Sequence, residues 1–145
     1  ELVKRKGIKC LVIDPYNKVK MKGAPDMSIP DATMEYLARI EAFAKKHDVL
    51  VVVVAHPTKM YKRDDGTMDE PTMYNIKGGG EWYDASYHGL LVHRDYTNNS
   101  VKVKVLKVKF QNLGENQAES HFKWNHASGD YIPISEVNSG TMPWD

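Results

Sequence analysis

Asp14 closes the apolar run Cys10-Leu11-Val12-Ile13, and Pro15 follows it at once. A carboxylate at the carboxyl end of a buried strand is the Walker B arrangement, in which the acid holds the water shell of a magnesium ion beside a nucleotide. In open parallel sheets ligands bind beyond such strand ends. A turn or helix-cap role is the plainer alternative for a lone aspartate. His56 ends a second apolar run, Val49 to Ala55, in the same way. An imidazole at that tip could report on a γ-phosphate, or simply close the strand.

Lys77-Gly78-Gly79-Gly80 invites comparison with a phosphate cradle, but it lacks the G-x-x-x-x-G-K-[ST] spacing and follows a loop rather than a strand. Three glycines in a row point instead to a hinge or a close backbone approach. No other segment of the chain matches a P-loop. If Asp14 is a Walker B acid, the other half of the nucleotide pocket lies outside these residues. Lys59, Lys62, Arg63 and Lys77, with Tyr61 and Tyr74 among them, suit phosphate contacts and stacking along single-stranded nucleic acid. Asp64, Asp65, Asp69 and Glu70 share that segment and could cancel its field, which leaves a charged solvent loop equally open.

Lys102, Lys104, Lys107 and Lys109 alternate with apolar residues over 101 to 110, so one face is buried and the other solvated. The period breaks at Leu106. A β-bulge there accounts for the break and re-aims Lys107 and Lys109. The six histidines, at 47, 56, 88, 93, 121 and 126, have no ligand spacing, and no zinc site is assigned.

The elements that must position these residues follow from periodicity. Lys9 to Ile13 and Val49 to Ala55 are continuously apolar, the pattern of strands covered on both faces. Between them, residues 15 to 29 form a loop of basic character. Ser28 then caps a helix with Asp31 three residues on, Pro30 in its first turn, and Met34, Leu37 and Ala44 at helical spacing up to Lys46. Strand, helix and strand make a right-handed crossover in a parallel sheet, and the class is α/β. Residues 57 to 80 are a long polar excursion, the kind of loop that is usually functional. A short helix in Glu81-Trp82-Tyr83-Asp84-Ala85-Ser86-Tyr87, a third apolar strand ending at Arg94, and a strand, turn, strand pattern around Ser128-Gly129-Asp130 complete the chain. Residues 1 to 134 read as one domain and 135 to 145 as a tail.

The totals agree. The 145 residues suffice for one core, and 20 lysines and arginines against 19 aspartates and glutamates predict neither nucleic acid nor membrane from net charge. Any basic surface must be local. No apolar stretch nears the ~18 residues of a membrane span. The single cysteine, Cys10, reads as a small buried hydrophobe, and a reducing cytoplasm, in a bacterium or a phage-infected cell, is the expected location. An opening of Glu1-Leu2-Val3-Lys4, without an initiator Met and close to a core strand, suggests a piece of a longer protein.

In order and spacing, Leu11-Val12-Ile13-Asp14-Pro15-Tyr16, the run ending Ala55-His56-Pro57-Thr58-Lys59, Ile76-Lys77-Gly78-Gly79-Gly80 and Val105-Leu106-Lys107-Val108-Lys109-Phe110 resemble the carboxyl-terminal half of the RecA-like motor of DnaB-type replicative helicases. The nearest likeness is to the phage primase-helicase and Twinkle branch. The resemblance implies a partial RecA-like P-loop NTPase core, a parallel sheet with flanking helices and a C-terminal antiparallel hairpin. It further implies ATP and Mg2+ as cofactors, with magnesium at Asp14 and a phosphate sensor at His56. Single-stranded DNA would contact the 57 to 80 region, including Lys59, Lys62, Arg63, Lys77, Gly78 and Gly79. Lys107 and Lys109 would reach a neighbouring subunit's nucleotide in a homo-hexamer, and a primase would be attached or associated. Two positions depart from the pattern: Lys109 stands where the family has its finger arginine, and Tyr87 where it commonly has an aspartate. The family's P-loop and catalytic glutamate lie upstream of the matched region. Rival readings are a recombination or repair ATPase of the same fold, and a non-catalytic nucleic-acid-binding module.

Overall fold

A computed structural model describes residues 2–18, 26–60, 64, 69–96 and 98–134. The chain divides into two compact units, Glu1–Ser86 and Tyr87–Asp145. The expected tail, 135 to 145, lies outside the described residues.

The first unit opens with α1, Leu2–Lys6, whose last turn carries Lys4, Arg5 and Lys6 and is stopped by Gly7 at φ +65°. β1, Cys10–Ile13, pairs in parallel with β2, Leu50–Val53, in the register Cys10↔Leu50 to Ile13↔Val53. Between them α2 spans Ile29–His47. It begins where the sequence expects: Ser28 Oγ accepts from the Asp31 backbone N–H at 3.3 Å and donates to the Asp31 carboxylate at 2.6 Å. It ends on Asp48 in the left-handed region at φ 51°, with the Asp48 N–H bonded to the Ala44 carbonyl. Glu35–Arg39 and Glu41–Lys45 pair one turn apart on its outer surface. Ser28→Ala should cost about 1 kcal/mol of stability through the lost cap, read as a lower denaturation midpoint with unchanged slope.

Strand burial departs from expectation. Leu11, Ile13, Val51 and Val53 lie on one face, where all but Leu11 are half-buried, whereas Cys10, Val12, Leu50 and Val52 lie on the other and are all exposed, Val12 at 57% and Leu50 at 62%. A continuous apolar run reports what a strand is fit to bury. The described residues of this unit cover one face of a two-stranded sheet. Cys10 is accordingly exposed, not the buried hydrophobe its neighbours suggest. The core lies instead among Tyr16, Thr33, Leu37, Val49, Met73 and Trp82. Trp82 comes from α3, Gly80–Ala85, the short helix expected after the glycines.

The second unit is an antiparallel meander, larger than the expected hairpin: β3 (His88–Asp95), β4 (Ser100–Val108), β5 (Glu119–Asn125) and β6 (Asp130–Pro133), in that spatial order. Side chains close its turns. Asp95 accepts from Asn98 N–H at 3.2 Å and Asn98 Nδ2 at 2.7 Å, and Asn125 Oδ1 accepts from Ala127 N–H at 2.9 Å. Gly129 at φ +77° supplies the left-handed step of the β5–β6 turn. Val101 and Val108 are its buried hydrophobic side chains among the described residues, and Trp124 lies against Tyr131 at 4.8 Å between centroids.

Candidate nucleotide and single-strand site

In the first unit the parallel ladder continues past both strand ends. Val54 N–H donates to the Ile13 carbonyl at 2.8 Å, and Tyr16 N–H donates to the Val54 carbonyl at 3.0 Å. Asp14 and His56 thereby emerge at the same, carboxyl edge of the β1–β2 pair, and both are exposed. Among the described residues no group of three or more His, Cys, Asp or Glu clusters as a cation cage. Magnesium does not need one, because it keeps several waters and binds through one or two carboxylates together with substrate phosphates. A single exposed carboxylate at a strand tip fits that mode.

Beyond His56 the long connection is fastened at its base. Pro57 bridges Ile76, while Thr58 gives its backbone N–H at 2.7 Å and its hydroxyl at 2.9 Å to the Asn75 carbonyl. Asn75 Oδ1 in turn accepts from Thr72 N–H at 2.8 Å and Thr72 Oγ1 at 2.9 Å, holding the 3-10 turn Met73–Asn75. Lys59 is exposed. Lys62 and Arg63, with Tyr61, lie outside the described residues.

The glycine run follows immediately. Gly78, at φ +106°, packs so closely on α2 that an added Cβ would meet Thr33 Oγ1 at 2.5 Å and Thr33 Cγ2 at 2.8 Å. Thr33 itself is fully buried and gives its hydroxyl to the Ile29 carbonyl at 2.8 Å. Of the two roles open to three glycines, the close backbone approach is the one present. Gly79, at φ +61°, leads into α3. Lys77 is exposed, but its carbonyl is held twice: Tyr16 Oη donates at 2.9 Å and Trp82 Nε1 at 3.0 Å. Beside this turn Tyr74, 59% exposed, stacks on Tyr83 at 5.2 Å and 19°. Sequence reasoning passed over Tyr16, Trp82, Thr33 and Tyr83. The only available signal was Tyr16's place two residues after Asp14.

Burial raises the Tyr16 hydroxyl above its ordinary pKa, and burial followed by the Tyr16 charge raises that of Tyr36. Both phenols are therefore held neutral in the folded state. The stability this supplies is whole below about pH 10 and is lost as pH rises through the raised folded values. The Tyr36 hydroxyl is buried without a hydrogen-bond partner among the described residues. Tyr36→Phe should consequently raise stability by about 1 kcal/mol at neutral pH and blunt the alkaline loss, measured by melting at pH 7 and above pH 10.

In the second unit the break at Leu106 is a bulge. Gly89 pairs with Lys107 but Leu90 with Val105, leaving Leu106 unopposed. Because directly opposed residues share a face, Lys102, Lys104 and Lys107, opposite His93, Leu91 and Gly89, lie on one face. That face is not simply solvated, as the alternation suggested. Lys102 is a quarter exposed and pairs with Glu119 at 3.7 Å, and Glu119 also meets His121 at 3.2 Å. His121 and the lysines hold the Glu119 carboxyl below its usual range, as Lys9 does for Asp48 at 2.8 Å. The stability either acid adds is lost as pH falls through its lowered value, and exposure keeps it small. Lys109 Nζ sits 4.2 Å from the Tyr87 ring centroid, and its N–H donates to the Tyr87 carbonyl at 2.9 Å. The two departures from the helicase pattern thus touch each other.

No family model matches the chain. It is 29% identical over 134 residues to the Twinkle homolog protein, chloroplastic/mitochondrial, of Arabidopsis thaliana, a match that takes in 89% of this chain and 18% of that protein. The chain thus spans under a fifth of that relative's length. Among solved structures it superposes, with a TM-score of 0.64 and 14% identity, on a DnaB-like replicative helicase whose interactions with primase were described alongside it, covering 85% of this chain and 29% of that one. In sequence the chain is thus similar to a stretch of a Twinkle homolog, and in fold to part of a DnaB-like replicative helicase.

Proposed function

We propose that the full-length protein is an ATP-driven DNA helicase that works as a homo-hexameric ring on single-stranded DNA, with a primase attached or associated. The observation that carries this reading is the arrangement at one sheet edge: Asp14 and His56 on adjacent parallel strand tips, followed by a loop fastened at its base and ending in the Lys77–Gly80 turn. Asp14 would hold magnesium through its water shell, and magnesium would neutralise charge on the ATP phosphates. His56 would sense the γ-phosphate. Lys59, Lys62, Arg63 and Lys77 would contact the strand's phosphates, with the Gly78 and Gly79 backbone approaching it closely and the exposed Tyr74 ring offering a base a stacking face. Lys107 and Lys109 would supply cationic charge to the adjacent subunit's nucleotide. Lysine lacks the bidentate fork of arginine, so the stabilisation from Lys109 is that of a point charge.

The test is ATP hydrolysis and duplex displacement by the full-length protein, with and without single-stranded DNA. Stimulated hydrolysis coupled to displacement supports the helicase. Filament formation and strand pairing without displacement would identify a recombination ATPase, and binding without hydrolysis a non-catalytic module. Residues 1 to 145 alone should not hydrolyse ATP, since they contain no P-loop motif.

A further inference from the structure

The buried contacts of the first unit converge on one residue that the helicase reading leaves without a role. Tyr16 follows Asp14 by two positions and is 6% exposed. Its backbone N–H is tied to the Val54 carbonyl at 3.0 Å, two residues before His56. Its hydroxyl is tied to the Lys77 carbonyl at 2.9 Å. Its ring meets the Trp82 ring edge-on at 4.6 Å, and Trp82, 3% exposed, donates to the same Lys77 carbonyl. One residue therefore joins the strand tips, through its backbone, to the start of the glycine turn, through its side chain. The turn is fixed from its other side by the contact of Gly78 on Thr33, where no Cβ fits.

We propose that Tyr16 is a positioning residue that couples the nucleotide edge of the β1–β2 pair to the Lys77–Gly80 turn, so that nucleotide state at one sets single-strand affinity at the other. The proposal rests on the helicase reading and names the link within it. A shift of the Asp14 tip that moves Tyr16 must either strain this part-buried hydrogen bond or carry the Lys77 carbonyl with it. Packed interiors respond to small shifts by moving between discrete arrangements rather than by deforming continuously. Coupling is reciprocal, so single-stranded DNA held at the turn would feed back on the same strand tips.

The test uses the full-length protein and Tyr16→Phe, which keeps the ring against Trp82 and removes only the hydroxyl bond. Binding of a fluorescein-labelled oligothymidylate is measured with ADP and with a non-hydrolysable ATP analogue, and hydrolysis with and without the oligonucleotide. The ratio of the two affinities, and the stimulation of hydrolysis by DNA, should each fall about three- to tenfold, the scale of one ordinary hydrogen bond. Hydrolysis without DNA should stay within about twofold of wild type. An unchanged affinity ratio in a folded variant overturns the proposal. So does an equal fall in basal and stimulated hydrolysis, which would mark general damage. A wild-type protein with no nucleotide-dependent DNA binding would instead defeat the helicase reading, and the coupling with it.

Discussion

Asp14→Asn in the full-length protein should reduce single-strand-stimulated ATP hydrolysis by about a hundredfold or more, while its melting temperature stays within about 2 °C of wild type. The first expectation follows from the proposed magnesium role. A metal beside a transferring phosphoryl group contributes several kcal/mol of charge stabilisation, and each 1.4 kcal/mol is a factor of ten. The second follows from geometry, because the carboxylate is exposed and has no hydrogen-bond or ion-pair partner among the described residues. Retained activity in a well-folded variant would remove Asp14 from the metal site. A large fall in melting temperature would show a structural part that its surroundings do not suggest.

Gly78→Ala should bring a large loss of stability in the first unit. The new Cβ would lie 2.5 Å from Thr33 Oγ1 and 2.8 Å from Thr33 Cγ2, and the backbone would have to keep a φ of +106° that side chains rarely adopt. Thr33 cannot step aside, being fully buried with its hydroxyl bonded to the Ile29 carbonyl. Overpacking and left-handed strain together should cost about 2–5 kcal/mol, read by chemical denaturation. Gly79→Ala makes the comparison: its added Cβ would meet only the end of the Glu81 side chain, at 3.8 Å, so the backbone strain of φ 61°, ψ −128° alone remains and the cost should be about 1–3 kcal/mol.

What could be read from the residues was local or periodic. Ser28 and Asp31 announce a helix start by chemistry that acts over three residues, and the structure has that cap. The lost alternation at Leu106 announces a bulge, and the register shifts there. The shared edge of Asp14 and His56 follows from a strand–helix–strand crossover, which sends both strands the same way. What escaped was of two kinds. The double hold on the Lys77 carbonyl joins residues 61 apart, and an aromatic in a loop carries no periodic signal. The open face bearing Cys10 and Val12 escaped because an apolar run states a strand's capacity for burial and nothing about how much cover is present. Lys62 and Arg63, read from composition, stay outside the described residues.

The fastening of Thr58 to Asn75, 17 positions apart, separates two evolutionary freedoms. With the ends of the segment already brought together, its span enters stability only through loop-closure entropy, and doubling that span costs about 0.6 kcal/mol. Insertions, deletions or exchange between Lys59 and Glu70, short of the Thr72 and Met73 that hold the base, can therefore accumulate without disturbing the strand tips or the glycine turn. The grip on a strand can be retuned in length and charge while the motor beneath it keeps its geometry.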